Sequence, residues 1–204
     1  MSDSKVVHVI DDDVDVRQSL AFLLSAAGLA VRTHDSAVAF LKALPTLQDG
    51  CIVTDIRMPE MDGLELQKRL KEMKIDMPVI VITGHGDVHL AVSAMKSGAV
   101  DFIEKPFDDE ALLSAIQAAL TQHSDDRRRQ SLVAEVRKRL KALSEREKEV
   151  LNGLVAGKPN KIIAYELGIS ARTVEVYRAN VMTKMQADSL SELVRMVLLE
   201  GGTV

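Results

Sequence analysis

The stretch Cys51-Ile-Val-Thr-Asp-Ile-Arg-Met-Pro-Glu-Met-Asp-Gly-Leu-Glu-Leu66 decides the fold prediction for this chain. It opens with a run of apolar and β-favouring residues, which is the pattern of a short buried strand. Asp55 stands where that run ends, and the loop signals Met58-Pro59 and Asp62-Gly63 follow before an apolar, helix-spaced run. Open α/β sheets bind ligands beyond the carboxyl ends of their strands, so Asp55 is the first candidate for a chemical site.

Outward from this stretch, strand and helix patterns alternate five times. Near-continuous apolar strands that alternate with helices predict a parallel sheet covered on both faces, an α/β fold. The predicted strands cover residues 5–10, 29–33, 51–55, 79–82 and 100–104, and the predicted helices cover 17–27, 36–44, 64–74, 87–96 and 108–122.

Polar residues stand at four of the predicted strand ends. Strand one ends at Asp11-Asp12, strand three at Asp55, strand four at Thr83 and strand five at Lys105. All these ends meet at one edge of a parallel sheet, where crowded carboxylates favour a hard divalent cation such as Mg²⁺. A hydroxyl and an ammonium beside them suit an added phosphoryl group, with Asp55 as the nucleophile that forms an acyl phosphate.

Each of these residues also has an ordinary structural interpretation. The run from Asp11 to Asp13 could cap a helix, Thr83 could simply end a strand, and Lys105-Pro106 could form a turn with a solvated lysine. The site interpretation rests on their combination with the order of the elements, because taken one at a time the structural interpretations are favoured.

Composition and charge divide the chain into two different halves. Residues 1–122 carry 11 Lys and Arg against 19 Asp and Glu, a net charge of −8, whereas residues 123–204 carry +4. The acidic and basic halves indicate different partners, and a basic module is compatible with nucleic acid. The single cysteine, Cys51, excludes an internal disulfide and favours a reducing, cytoplasmic setting. No stretch approaches the roughly 18 uninterrupted apolar residues of a membrane span, so no membrane partner is expected.

The basic half begins with a charged segment, 123–142, that has helical apolar spacing and no proline or glycine. We predict a helical linker there, with a disordered basic linker as the alternative. A capping box, Ser144 with Glu147, then opens a predicted four-helix domain over 143–204. Within it, the helices 160–167 and 171–185 flank the tight turn Gly168-Ile169-Ser170, which is helix-turn-helix spacing.

The helix 171–185 has two distinct faces. Val174, Tyr177, Val181 and Met185 share the face expected to pack inward, and Arg172, Val176, Ala179 and Thr183 share the opposite face. Small and polar outward residues permit close approach to a DNA groove, and Arg172 and Thr173 lie at the end that usually enters it. Arg178 and Lys184 lie nearer the flanks, where phosphate contact is expected. A helical bundle that docks protein remains the alternative.

Residues 5–122 resemble the receiver domain of two-component response regulators. The resemblance rests on Asp11-Asp12, on Asp55 within Asp-Ile-Arg-Met-Pro-Glu-Met-Asp-Gly, on Thr83 and on Lys105-Pro106. It implies a flavodoxin-like five-stranded fold and phosphorylation of Asp55 by a sensor histidine kinase. It further implies one Mg²⁺ per receiver, bound by Asp11, Asp12, Asp55 and the backbone carbonyl of Arg57.

The same resemblance implies a switch. It assigns Thr83 and Lys105 to the phosphoryl group and makes Phe102 the aromatic residue that turns inward as Thr83 moves. It also predicts a cis peptide bond before Pro106, which only an X-Pro bond adopts cheaply. Two phosphorylated receivers are then expected to pair through helix four and strand five, roughly residues 87–106.

Residues 143–199 resemble the LuxR-type helix-turn-helix domain, so the whole chain is similar to the NarL/FixJ subfamily. The residues that carry this resemblance are Ser144-Glu145-Arg146-Glu147, Val150-Leu151, Gly157, Asn160-Lys161, Ile163-Ala164, Leu167, Ile169-Ser170, Thr173-Val174 and Lys184-Met185. Glu175 and Tyr177 depart from the common pattern, in which lysine and histidine are frequent. The predicted DNA contacts are Lys161, Arg172, Thr173, Glu175, Val176, Arg178, Ala179, Asn180 and Lys184.

The sequence thus predicts a phosphorylation-controlled transcription regulator, an activator rather than an enzyme, with promoter DNA and RNA polymerase as partners. A phosphatase that turns over through an aspartyl phosphate would need an acid or base near Asp55, commonly two residues on, where this chain has Arg57. A flavodoxin-like cofactor binder would need a glycine- or serine-rich phosphate loop after strand one, where this chain has three acids. A receiver whose C-terminal bundle docks protein also remains open.

Overall fold

The predicted β-α alternation forms a five-stranded parallel sheet in the computed structural model, which describes residues 6–84 and 88–201. The strand order is β2-β1-β3-β4-β5, with every neighbouring pair parallel. The strands are β1 Val6–Ile10, β2 Ala30–His34, β3 Gly50–Asp55, β4 Val79–Thr83 and β5 Asp101–Glu104. The predicted parallel α/β fold is therefore confirmed.

Helices cover both faces of this sheet. They are α1 Val14–Ala26, α2 Ala37–Ala43, α3 Gly63–Glu72, α4 Val88–Ser97 and α5 Asp109–Lys141, with a short 3-10 turn, Leu44–Thr46, after α2. Leu20 and Leu24 of α1 pack with Leu112 and Ile116 of α5 against one face, and residues of α2, α3 and α4 pack on the other. Both faces of the central strands are consequently buried, as their continuous apolar sequences require.

Helix α1 begins three residues earlier than its apolar spacing predicts. The carboxylate of Asp13 accepts hydrogen bonds from the backbone amides of Asp15 and Val16, so Asp13 is the N-cap. The acidic run after β1 therefore has two roles, since Asp13 caps a helix while Asp11 points into the sheet edge. Lys5 and Asp87, predicted to open the first strand and the fourth helix, lie outside the described residues.

The basic part of the chain is all-helical. Its helices are α6 Glu145–Val155, α7 Asn160–Leu167, α8 Ala171–Met185 and α9 Leu190–Glu200. The predicted capping box is present at α6, where Ser144 and Glu147 each accept a hydrogen bond from the other's backbone amide. The buried residues of these helices form one cluster, which Val136 and Leu140 of α5 join.

The chain divides into two compact units between Asp125 and Asp126. The segment predicted as a helical linker, 123–142, lies almost wholly within α5, which contributes residues to both units. Within residues 6–84 and 88–201, no helix combines the length and the apolar content that crossing a bilayer would demand.

Candidate functional site

The carboxyl edge of the sheet brings together side chains that are far apart in the sequence. Lys105, directly after β5, places its Nζ 2.7 Å from Asp55 Oδ1 and 3.2 Å from Asp11 Oδ2. Asp55 ends β3 and Asp11 follows β1, so this ammonium joins residues from three strands. Thr83, at the end of the intervening β4, is buried at the same edge. The predicted convergence of strand ends is present in the fold.

Backbone groups fix the orientation of both carboxylates. The Arg57 amide donates to Asp55 Oδ2 at 2.7 Å, and the Asp13 amide donates to Asp11 Oδ1 at 2.9 Å. Gly63 then returns the chain to the site, because its amide donates to the Ile56 carbonyl and a Cβ there would lie 2.7 Å from the Asp55 carbonyl oxygen. A glycine after Asp62 therefore suits the close approach of this loop to β3.

The electrostatics of the site are not balanced. Burial raises the pKa of Asp11, against the opposing effects of the Asp13 amide and the Lys105 ammonium. Burial alone would lower the pKa of Lys105, but its hydrogen bond and charge interaction with Asp55, and those with Asp11, raise it. One ammonium thus serves two largely buried carboxylates, and the site retains an excess of negative charge.

The donor set fits a hard divalent cation. Asp11 and Asp55 are buried oxygen donors with excess negative charge, and Asp12 and Arg57 lie exposed beside them. In the described part of the chain, no three His, Cys, Asp or Glu side chains are arranged as a metal-binding group. At this edge the ammonium of Lys105 contacts both Asp11 and Asp55.

The residues assigned to the switch differ in exposure. Thr83 is almost completely buried, and 42 % of the Phe102 surface is exposed. The peptide bond between Lys105 and Pro106 is cis, as predicted. Three further large apolar side chains are exposed on α4 and just before β5, which are Val92, Met95 and Val100.

In the second unit, α7, a tight turn and α8 form the predicted helix-turn-helix. Gly168 ends α7 in the left-handed conformation with φ of 65°, which glycine adopts without strain. The Ser170 hydroxyl then caps α8 by accepting the Thr173 amide hydrogen. The hydroxyls of Ser170 and Thr173 are also 2.8 Å apart, so Thr173 is partly engaged in this cap.

The exposure of α8 follows the predicted faces. Val174, Val181 and Met185 are buried in the core of the second unit, and Tyr177 packs partly against that core. The predicted DNA-contact residues that are exposed are Lys161 on α7 and Arg172, Glu175, Val176, Ala179, Asn180 and Lys184 on α8, whereas Thr173 and Arg178 are half-buried.

Lys184, also predicted as a DNA contact, is engaged within the fold. Its ammonium lies 2.7 Å from Oε2 of Glu147, a carboxylate that is buried and also accepts the Ser144 amide hydrogen. This contact is the largest cause that lowers the pKa of Glu147. The Lys184–Glu147 pair was not predicted from the sequence, although both residues belong to the LuxR-type pattern and carry opposite charges.

The two units match two different family models. Residues 7–117 match the response regulator receiver domain, and residues 141–197 match the bacterial regulatory proteins of the luxR family. The receiver match alone covers more than half of the chain. The chain belongs to the response regulators. This response regulator joins a receiver to a LuxR-type DNA-binding domain, as its sequence predicted.

Similar proteins align with this response regulator over nearly its full length. The transcriptional regulatory protein FixJ of Azorhizobium caulinodans is 61 % identical over 98 % of this chain and 95 % of its own length. FixJ of Rhizobium meliloti is 55 % identical over 96 % of each chain.

Two solved structures show the same architecture. Full-length FixJ from B. japonicum is 53 % identical, with a TM-score of 0.64 and 97 % coverage of each chain. The response regulator StyR is 42 % identical, with a TM-score of 0.83 and coverage of 96 % of this chain and 98 % of its own. The protein is thus a two-component transcription regulator and not an enzyme.

The Lys105 ammonium, which contacts both Asp11 and Asp55, makes a testable contribution to the stability of the receiver. Lys105→Met leaves Asp11 and Asp55 without their counter-charge, and we expect a loss of about 2 kcal/mol in the free energy of unfolding of the receiver at neutral pH. Without the ammonium, the pKa of Asp11 in the folded variant lies further above its unfolded value, so stability falls as pH rises through that range. Urea denaturation should therefore show a larger loss at about pH 8 than at about pH 5.

Lys68→Met is the matched control, because Lys68 is exposed on α3 in the same unit. It should unfold like the wild type at both pH values. An equal loss for Lys105→Met at both pH values would contradict the electrostatic origin of its effect.

Proposed function

We propose that Asp55 accepts a phosphoryl group from a sensor histidine kinase and that this phosphorylation controls DNA binding by the second unit. The observation that carries the proposal is the 2.7 Å contact of Lys105 Nζ with Asp55 Oδ1. It places a cation beside a carboxylate at a sheet edge, where transferred negative charge needs to be neutralised. A new bond would form between a carboxylate oxygen of Asp55 and phosphorus as the bond from phosphorus to the kinase imidazole breaks.

Lys105 and Thr83 are the proposed partners of the phosphoryl oxygens. Lys105 already contacts two carboxylates, so exchange of one of them for a phosphoryl oxygen would keep its charge paired. Thr83 ends the strand between those that carry Asp55 and Lys105 and could donate its hydroxyl. Movement of Thr83 toward the phosphoryl group would open space into which Phe102 could turn.

Mg²⁺ is the proposed cofactor. Asp11, Asp12, Asp55 and the carbonyl of Arg57 would hold it, and they are oxygen donors of the kind that Mg²⁺ prefers. The ion would supply positive charge to the phosphoryl oxygens during transfer. The raised pKa of Asp11 supports a cation there, because a buried carboxylate with too little counter-charge gains most from one.

Pairing of two receivers is the proposed first consequence of phosphorylation. Val92 and Met95 of α4 and Val100 and Phe102 at β5 expose between 40 and 45 % of their surfaces. A second copy could bury these apolar side chains once Phe102 changes orientation. A homodimer would then present two DNA-binding units to two half-sites of a promoter.

The proposed output is promoter activation in the cytoplasm. Exposed residues of α8 would enter the major groove, and Lys161 of α7 would contact phosphate. RNA polymerase is the proposed further partner. The similar proteins named FixJ are transcriptional regulatory proteins, which supports a regulator of the same kind, and activation of nitrogen-fixation genes is the proposed role.

Phosphorylation can be tested by intact mass. After incubation with Mg²⁺ and acetyl phosphate, the wild type should gain one phosphoryl group, and Asp55→Asn, which lacks the nucleophilic carboxylate, should gain none. Chelation of Mg²⁺ with EDTA should abolish the gain in the wild type. A gain of the same size in Asp55→Asn would place the phosphorylated residue elsewhere.

Dimerisation can be tested by light scattering at micromolar concentration. The wild type treated with acetyl phosphate should double its mass, whereas Met95→Glu should stay monomeric because two like charges would face each other in the pair. Phe22→Glu is the matched control, since Phe22 is an exposed apolar residue of α1 on the same unit. A wild type that remained monomeric while phosphorylated would remove the dimer step.

DNA binding can be distinguished from protein docking by its salt dependence. The logarithm of the binding constant of the wild type for duplex DNA should fall linearly with the logarithm of the salt concentration, because cationic side chains displace counterions. Lys161→Ala should lower that slope by about one, because Lys161 is the proposed phosphate contact. Binding that did not respond to salt would favour the alternative in which the helical unit docks protein.

A further inference from the structure

The C-terminal end of α8 is held by the residues around the junction of α5 and α6. Arg139 of α5 donates from Nη1 to the Met185 carbonyl at 2.9 Å. The neighbouring Lys184 binds Glu147 of α6 and lies 3.4 Å from the Ala142 carbonyl between the two helices. Two consecutive residues at the last turn of α8 are therefore tied to this junction, and all these residues belong to the second unit.

Arg139 is well placed to fix a helix end. The last carbonyls of a helix lack intrahelical partners and carry partial negative charge, so a guanidinium there satisfies one of them. Arg139 Nε also donates to Glu135 Oε1 at 3.1 Å, which orients the guanidinium from the preceding turn of α5. Only 21 % of the side chain is exposed, and Val136 and Leu140 beside it are buried in the core.

The guanidinium is thus used inside the fold and not displayed to solvent. The nearby Arg137 provides a contrast, because it is 57 % exposed and pairs with Glu200 of α9. These two arginines lie two residues apart on α5, and they bind different helices: Arg137 pairs with α9, and Arg139 contacts α8. Arg139 also lies before residue 141, where the LuxR-type match begins.

We propose that Arg139 is a positioning residue for DNA recognition, which sets the direction of α8 by holding the Met185 carbonyl. This inference rests on the proposed DNA-binding role of α8. A helix held at its buried C-terminal end projects its exposed N-terminal residues, such as Arg172, at a fixed angle. Hydrogen bonds to base edges depend on that angle, whereas the diffuse attraction to phosphates does not.

The test uses the full chain after treatment with acetyl phosphate and Mg²⁺, and two DNA probes. One is a duplex that the wild type selects from a random-sequence library, and the other is unselected duplex of mixed sequence. Arg139→Ala should weaken binding to the selected duplex about tenfold, the equivalent of one hydrogen bond from a charged donor. Its binding to the unselected duplex and its salt slope should match those of the wild type, because Arg139 would contact no phosphate.

Two further variants separate positioning from general loosening of the unit. Arg139→Lys should recover part of the selectivity, since an ammonium can still donate to the Met185 carbonyl. Arg137→Ala should bind both duplexes like the wild type. Should Arg139→Ala lose helical content at the assay temperature, Arg139→Met takes its place, because it keeps the aliphatic stem against the core.

Four outcomes would overturn the inference. In the first three, Arg139→Ala keeps wild-type selectivity for the selected duplex, Arg139→Lys recovers none of the lost selectivity, or Arg137→Ala loses as much selectivity as Arg139→Ala. In the fourth, the salt slope of Arg139→Ala falls by about one, which would make Arg139 a phosphate contact. A wild type that bound neither duplex would instead reject the DNA-binding function itself. The failure of the inference and the failure of the proposed function are therefore distinguishable.

Discussion

The Lys105 ammonium between Asp11 and Asp55 is the interaction on which the receiver site depends. Three strands supply these residues, and they meet only because the strands run parallel in the order β2-β1-β3-β4-β5. Burial of charged groups costs free energy unless they are paired, so this edge needs the lysine as soon as the two carboxylates are buried. The pairing is incomplete, because one ammonium faces two acids and the pKa of Asp11 is raised. The same arrangement that holds the edge together leaves an excess of buried negative charge there, which supports the proposal that Mg²⁺ binds at this edge.

The second unit depends on a charged pair of a different kind. Glu147 accepts hydrogen bonds from the Ser144 amide and from Lys184, so one buried carboxylate both caps α6 and fixes the end of α8. Arg139 adds a bond to the adjacent Met185 carbonyl. The helix that would contact DNA is therefore positioned by residues that lie far from its exposed face.

The sequence predicted the features that follow from periodicity and from strand ends. The alternation of strand and helix patterns predicted the parallel sheet, and the polar residues at four of the strand ends could be assigned to one edge before any distance was known. The faces of α8 also followed from helical spacing, with Val174 and Val181 buried and Val176 exposed. The start of α1 was wrong because its first turn depends on a cap by Asp13, and an acidic run does not show which acid caps and which enters the site.

Long-range pairing could not be predicted in the same way. Lys184 carries the charge expected of a phosphate contact, and only the fold shows that its partner is Glu147, 37 positions earlier. Arg139 contacts a backbone carbonyl, and because every residue has one, the sequence does not show which carbonyl accepts the hydrogen bond. The segment 123–142 displayed helical spacing, but only the fold shows that Arg139 contacts α8 and that Arg137 contacts α9.

The two lysine sites of the chain differ in their balance of charge. Lys184 faces one acid, Glu147, whose pKa it lowers, and the capping box also stabilises the charged form of that acid. Lys105 faces two acids, and burial raises the pKa of Asp11 despite the ammonium. A balanced pair has nothing to gain from another ion, whereas an excess of buried negative charge favours the binding of a cation. The balance of charge, rather than the residue types, therefore distinguishes the proposed phosphorylation site from the Lys184–Glu147 pair.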